Sequence, residues 1–179
     1  MKRLARLFSV LTLFVFAAGV AVMLYDRSAP VAVPEMAPLT SQIDHILIEK
    51  SARRMTVFRA GDALKTYRVA LGFTPSGDKV QEGDGRTPEG VFTLNRRNPA
   101  SAYHLSLGID YPQTDDVTRA RNAGVSPGGD IFIHGQPNGL GRIGALPYDW
   151  TAGCIAVSDA DIEELWRVAP NGTPVEIRP

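Results

Sequence analysis

Hydrophobic residues in the body of the chain mostly alternate with polar ones, and this period of two predicts β-strands with one buried face. Residues 43–49 and 54–59 show the pattern first, and residues 60–63 are a turn signal before a third run at 64–71. Two short strands joined by such a four-residue link predict a β-hairpin. Further strands are predicted at 90–94, 103–109, 130–134, 153–157 and 173–178.

Helical signals are few. Residues 114–123 predict a short helix with Thr114 as its N-cap. Ser158 opens a capping pattern that predicts a second helix, which ends at Asn171 and Gly172. Glycine-rich loops are expected at 72–90, 124–129 and 135–144. Together these patterns predict a mainly β, compact domain with two or three short helices and long functional loops.

The first 25 residues have the pattern of a targeting segment. Three basic residues occur within the first six, and a nearly continuous apolar stretch covers residues 7–25. This length approaches a bilayer span, so residues 1–25 are predicted to be a signal-anchor with the body outside, although small residues leave cleavage possible. Residues 26–42 are proline-rich and predict a linker, and residues 43–179 are the expected folded domain.

Charge argues against one class of partner. The chain has 19 basic and 19 acidic residues, and Lys2, Arg3 and Arg6 precede the apolar stretch. Without those three the formal charge is −3 (16 − 19). The body therefore has no basic excess to neutralise a phosphate backbone, and a nucleic acid partner is not expected.

Cys154 is the only cysteine of the chain, whose first 25 residues are predicted to direct export. An intramolecular disulfide is impossible for a lone thiol, whereas a nucleophile is a reason to keep one outside the cytoplasm. His134 lies 20 positions earlier (154 − 134), beside the end of another predicted strand, and is the candidate base. The backbone amides of Gly153 and Cys154 are candidate donors to an oxyanion. The alternatives are a buried apolar cysteine and a structural histidine.

The other candidate residues give weaker evidence of a function. His104 and Thr151 are candidate substrate-binding residues, and His45 is expected to be exposed on a strand. No metal is expected, because the chain has neither a His-Glu-x-x-His sequence nor paired Cys-x-x-Cys ligands. No cofactor is expected either, since residues 83–86 lack the Gly-Lys-Ser/Thr ending of a phosphate loop.

At these residues the chain resembles the L,D-transpeptidase catalytic domain, the YkuD family, of bacterial cell-wall enzymes. Three segments carry the resemblance: Glu-Gly-Asp-Gly-Arg-Thr-Pro-Glu-Gly at 82–90, Gly-Gly-Asp-Ile-Phe-Ile-His-Gly at 128–135 and Thr-Ala-Gly-Cys-Ile at 151–155. The resemblance implies a β-sandwich or barrel-like domain with Cys154 as nucleophile and His134 as proton acceptor and donor. It also implies peptidoglycan stem peptides as substrates, attacked at the L-centre of a diamino acid, and a location in the bacterial cell envelope, membrane-anchored or periplasmic.

The chain departs from the usual family motif, Ser/Thr-His-Gly-Cys followed shortly by an arginine. Ala152 occupies the histidine position, and Ala156 stands where the arginine is common. Residues 149–154 resemble a divergent branch that includes enzymes acting on peptidoglycan or detaching proteins from it. Arg142 is a candidate replacement for the missing charge, or an ordinary solvated residue.

Several activities fit these residues. The leading expectation is a cysteine acyltransferase that forms a thioester on Cys154 and passes the acyl group to a second stem peptide or an envelope protein. A hydrolase or amidase would use water as the acceptor in the same site. A non-catalytic wall-binding module would keep the fold without the chemistry. A thiol redox protein is disfavoured, because there is no second cysteine to resolve a disulfide.

Overall fold

The computed structural model describes residues 38–141 and 144–179 and confirms a mainly β domain. Its strands and helices are, in chain order, β1 (His45–Glu49), β2 (Arg54–Arg59), β3 (Asp62–Arg68), β4 (Gly90–Ser101), β5 (His104–Ile109), α1 (Thr114–Asn122), β6 (Phe132–His134), β7 (Ile155–Ala156), α2 (Asp159–Val168) and β8 (Pro174–Arg178). The signal-anchor predicted at 1–25, and most of the linker, lie outside the described residues. Within the described ranges, no helix is long and apolar enough to span a membrane.

The strands form one mixed sheet in the order β3-β2-β1-β8-β4-β5-β6-β7. The β1–β8 and β6–β7 pairs are parallel, and the other pairs are antiparallel. Beyond β3, Ala70 pairs with Ala156 of β7 and Gly72 pairs with Thr151. The chain that continues one end strand therefore bonds to the strand at the other end, which gives the sheet its barrel-like closure.

The core lies on the face of the sheet that α2 covers. Buried side chains alternate along the strands, as Ile46 and Ile48 do on β1, and Ile162 and Leu165 of α2 are also fully buried. Burial of one apolar side chain of this size stabilises the folded state by about 1.5–3 kcal/mol. This packing holds β6 and β7 in place, because Ile133 and Ile155 belong to the same core.

The structure corrects several predicted boundaries in the strands. The first hairpin has a two-residue link, Ala60 and Gly61, both with positive φ (52° and 87°), and Asp62 already pairs with Arg59. Two positive-φ residues make the tight turn whose twist matches a hairpin. Strand β4 is much longer than predicted, because its bulges let the polar residues after Leu94 pair with β5.

The two helices differ from prediction in detail. Thr114 is the first residue of α1 and Gln113 is the N-cap, because the Asp116 carboxylate accepts the Gln113 N–H at 2.9 Å. Ser158 is confirmed as the cap of α2: its Oγ accepts the Asp161 N–H at 3.1 Å. This helix ends at Val168, before the predicted end, because Ala169 precedes a proline and takes an extended conformation.

Candidate active site

The parallel pairing of β6 with β7 brings the predicted nucleophile and base to one face of the sheet. His134 lies opposite Ala156, and Ile133 lies opposite Ile155 in the core. Side chains alternate along a strand, so Cys154, two residues before Ala156, projects to the same side as His134. Strands β6 and β7 are shorter than the predicted 130–134 and 153–157. The backbone turns just before each strand, at Asp130 (φ 54°) and Gly153 (φ 138°).

The Cys154 thiol is half-buried beside the backbone that leads into β6. Its Sγ donates to the carbonyl oxygen of Asp130 at 3.4 Å. Burial raises the pKa of this thiol, and the nearby carboxylate of Asp130 adds to the increase. The resting state is therefore a neutral thiol, and attack requires a base that removes its proton.

His134 is buried, and a backbone carbonyl orients it. Its Nδ1 lies 2.7 Å from the carbonyl oxygen of Gly135, so Nδ1 carries the hydrogen and Nε2 keeps the lone pair. Burial lowers the pKa of the imidazole, against the effect of the Gly135 hydrogen bond. A neutral imidazole with a free Nε2 is the form that accepts a proton at neutral pH.

Two aromatic rings that the sequence did not single out enclose this imidazole. The ring centroids of Tyr103 and Trp150 lie 4.6 and 5.6 Å from that of His134, and 5.7 Å from each other. These contacts fix the plane of the imidazole and exclude water from it. The Trp150 indole N–H is buried and has no acceptor among the described residues. In the sequence, only the position of Trp150, four residues before Cys154, indicated that an aromatic ring lies near the candidate site.

Thr151 shapes the turn that carries the nucleophile. Its buried hydroxyl donates to the Cys154 carbonyl at 2.7 Å and accepts the Gly153 N–H at 3.1 Å. The Gly153 amide, a candidate oxyanion donor, is thus already bonded in this structure. The Cys154 amide takes part in no hydrogen bond found within residues 38–141 and 144–179. A direct contact of Thr151 with substrate stays a prediction.

The segment at 82–90 forms a wall behind the nucleophile turn. Gly153 packs so closely against it that a Cβ at this position would lie 2.7 Å from the Arg86 carbonyl oxygen. A buried ion pair holds this wall, with Lys79 Nζ 2.8 Å from Asp84 Oδ1. Burial alone would raise the pKa of Asp84, but Lys79 and three backbone amides lower it to about 2. The segment therefore acts as a support for the site.

The remaining histidines make other contacts, and Arg142 is not described. The His104 ring bonds to Glu163 of α2 at 2.8 Å, and His45 contacts the Phe58 ring and lies 3.6 Å from Glu176. A substrate-binding role of His104 stays a prediction. Arg142 lies outside the described residues, so its role as a replacement charge stays a prediction. Among the described residues, no cluster of histidine, cysteine and carboxylate side chains could hold a metal ion.

A mainly β domain with a buried histidine on one strand and a half-buried cysteine just before the neighbouring strand defines a class of candidate thiol enzymes. The L,D-transpeptidase catalytic domain family, YkuD, matches residues 43–177. The chain belongs to this family.

Individual relatives are distant. A Bacillus licheniformis protein named for the YkuD L,D-transpeptidases is 26% identical over 141 residues, which cover 75% of this chain and 65% of that one. The crystal structure of the helical cell shape determining protein Pgp2 from Campylobacter jejuni is 26% identical, with a TM-score of 0.59, and the match covers 78% of this chain and 48% of that one. An L,D-transpeptidase from Xylanimonas cellulosilytica shares the fold at 18% identity (TM-score 0.51; 79% of this chain, 63% of that one). The chain spans less than two thirds of the length of each relative.

Proposed function

We propose that this protein is a cell-envelope cysteine acyltransferase that acts on peptidoglycan stem peptides through a thioester on Cys154. The observation that carries the proposal is the parallel register of β6 and β7, in which His134 lies opposite Ala156, two residues after Cys154. Membership of the L,D-transpeptidase family supports the substrate class.

The first half-reaction starts from two neutral groups. Nε2 of His134 takes the proton of the thiol as Sγ forms a bond to the peptide carbonyl carbon. The Cys154 amide N–H would donate to the resulting oxyanion, and the Gly153 N–H would join it by releasing Thr151. When the intermediate collapses, the C–N bond breaks, the leaving amine takes the proton from His134, and a thioester remains.

The second half-reaction reverses these roles. An acceptor amine attacks the thioester carbonyl and gives its proton to Nε2. The C–S bond then breaks, and the departing sulfur takes that proton back, which restores the neutral pair. An amine acceptor gives a new peptide bond, whereas water in its place gives a shortened peptide from the same acyl-enzyme.

The test combines a synthetic stem tetrapeptide with an acceptor peptide and follows the products by mass spectrometry. Cross-linked or exchanged peptides support the transferase, and exclusively shortened peptides identify a hydrolase. The Cys154→Ala protein is the control for catalysis. If it retained the full cellular effect of the wild type, the protein would be a wall-binding module.

A further inference from the structure

The side chain of Arg96 crosses the sheet from β4 to the backbone that contacts the Cys154 thiol. Arg96 lies opposite Gly108 on β5, and Gly108 lies opposite Phe132 on β6. The register of β4 with β5 shifts just before Arg96, and a bulge of this kind redirects a side chain. The guanidinium carbon lies 4.4 Å from the centre of the Phe132 ring, and Nη2 donates to Oδ1 of Asp130 at 3.0 Å. A single side chain thus contacts both Phe132 and Asp130.

Gly108 leaves the path open for this arginine. A Cβ at residue 108 would lie 2.5 Å from Cγ of Arg96 and 2.7 Å from its Nε, well inside van der Waals contact. Gly108 does not have a positive φ, so its backbone conformation by itself would accept an alanine. Since Cγ is close to the backbone of Arg96, the side chain could not keep its course beside that Cβ. The missing side chain at Gly108 therefore decides where the guanidinium lies.

The two residues that Arg96 contacts are also residues whose backbone groups contact the candidate nucleophile. Sγ of Cys154 donates to the Asp130 carbonyl oxygen at 3.4 Å, and the Phe132 N–H donates to the sulfur. Asp130 has a φ of 54°, which is unfavourable for a residue with a side chain, so contacts beyond its own backbone are needed to hold it. The hydrogen bond from Arg96 to the Asp130 carboxylate is such a contact.

The ion pair adds little to the stability of the fold, but both of its charges act on the sulfur. The side chains of Arg96 and Asp130 are 37% and 90% exposed, and exposed pairs of this kind are weak. Burial is the largest influence on the pKa of the Cys154 thiol and raises it. The Asp130 carboxylate raises this pKa further, whereas the Phe132 N–H and the cations of Lys79 and Arg96 lower it.

We propose that Arg96 is a positioning residue for the nucleophile, which holds Asp130 and Phe132 so that their backbone groups keep Sγ in place. This role rests on the proposed function for the reaction in which the sulfur is used. When Nε2 of His134 takes the thiol proton, the S–H donation to the Asp130 carbonyl ends. The Phe132 N–H then remains as the backbone donor to the thiolate. Arg96 touches neither the sulfur nor the reacting carbonyl, and acts through the two residues that it holds.

Two substitutions at the ion pair distinguish this role from a merely structural one. The readout is the pH at which the rate of Cys154 alkylation by iodoacetamide has its inflection. Arg96→Ala removes a cation and the support of the Phe132 N–H, so the inflection should move up by about half a pH unit. Asp130→Asn removes the carboxylate and keeps an oxygen for Arg96, so the inflection should move down by about as much. A loosened site would expose the thiol and lower its pKa in both variants.

The other ionisable groups near the sulfur are the same in both variants. Lys79 approaches from the loop before the wall at 82–90, and His134 approaches from β6 with a neutral imidazole. Opposite shifts in Arg96→Ala and Asp130→Asn are therefore due to the ion pair itself.

The rate of thioester formation measures the effect of positioning on the reaction. At saturating stem tetrapeptide, Arg96→Ala should form the thioester about 10- to 100-fold more slowly, with the half-saturating peptide concentration unchanged, as expected for a misplaced nucleophile. Arg96→Lys should recover part of the rate, because an ammonium group still pairs with the Asp130 carboxylate. The melting temperature of each variant should stay within about 5 °C of the wild type, since the pair is exposed.

Gly108→Ala tests the path of the side chain without removing its charge. The added Cβ should displace Arg96 and slow thioester formation to the same extent as Arg96→Ala. The double variant should be no slower than either single variant, because both changes break the same contact. Arg54→Ala is the matched control: Arg54 forms an exposed ion pair with Glu49 at 2.8 Å on another part of the sheet. It should change neither the rate nor the inflection.

The proposal and the proposed function fail in different ways. An unchanged rate in Arg96→Ala, or inflections that move in the same direction in Arg96→Ala and Asp130→Asn, would overturn the positioning role. Additive losses in the double variant with Gly108→Ala would also contradict it. If Arg96→Ala did not fold, Arg96→Lys and Asp130→Asn would carry the same comparison. Absence of a thioester on the wild type would remove the proposed function, and the two alkylation shifts would still decide whether Arg96 positions the thiol.

Discussion

The Nδ1 atom of His134 lies 2.7 Å from the carbonyl oxygen of the next residue, Gly135, and this contact defines which nitrogen of the candidate base is free to accept a proton. A carbonyl can only accept, so the hydrogen is on Nδ1 and the basic lone pair on Nε2. Burial lowers the pKa of His134 and raises that of Cys154. Both shifts favour the neutral thiol with the neutral imidazole over a preformed thiolate–imidazolium pair.

Alkylation of Cys154 by iodoacetamide, an uncharged reagent, should therefore be slow at neutral pH. An ordinary thiol has a pKa of about 8.5, and the inflection of the alkylation rate for Cys154 should lie above it. The rate is read from intact mass across pH 6–10, with free cysteine as the reference. An inflection well below that of free cysteine would show a preformed thiolate and contradict the neutral pair.

The stability of the fold should fall in acid because of His134. A histidine with a lowered pKa binds its proton more weakly in the folded protein, so its contribution to stability is present above about pH 6.5 and is lost as pH falls through the folded pKa. Urea unfolding of the wild type and His134→Asn at several pH values measures this. We expect the free energy of unfolding of the wild type to fall below pH 6.5, and the part of this fall that His134 causes to be missing in the variant. Parallel curves for the two proteins would be evidence against a buried neutral imidazole.

These two predictions rest on contacts that the sequence could not supply. The alternation of apolar residues predicted most strands, and the lone cysteine with an upstream histidine predicted the pair, because both depend on local pattern and residue chemistry. The orientation of His134 by Gly135 depends on a side-chain rotamer. Likewise, the rings of Tyr103 and Trp150 meet only after β5, β6 and the loop before Cys154 are brought together. The pairing of Ala70 with Ala156, which closes the sheet, joins distant parts of the chain, and no local pattern records it.

The turn at Gly153 should not tolerate a side chain. Gly153→Ala would place a Cβ 2.7 Å from the Arg86 carbonyl at a φ of 138°, a region almost restricted to glycine. We expect a loss of about 1–3 kcal/mol in stability and a large loss of activity, measured by thermal unfolding and turnover. Gly124→Ala is the control, because Gly124 also has positive φ (69°) but has open space around it. An active Gly153→Ala protein would show that the wall at 82–90 does not position the nucleophile.

The Asp84–Lys79 pair should support both stability and activity. Asp84 has a pKa of about 2, so its contribution is present above about pH 4 and is lost as pH falls through 2. Asp84→Asn leaves Lys79 buried with one partner fewer, and we expect a cost of about 2 kcal/mol at pH 7. Glu82→Gln, an exposed carboxylate on the same segment, should cost nothing measurable. An equal effect of the two substitutions in urea unfolding would argue against the ion pair as the support.

The central claim is that Cys154 becomes acylated by a stem peptide with His134 as its base, and intact-protein mass spectrometry tests it directly. Wild-type protein incubated with a stem tetrapeptide should gain the mass of the acyl group. Proteolytic digestion should locate this mass on the fragment that contains Cys154, and hydroxylamine should release it as expected of a thioester. His134→Gln should acquire the same adduct about 100- to 10,000-fold more slowly, and Cys154→Ala should acquire none. An adduct on another residue, or one that forms at the same rate without His134, would contradict the account.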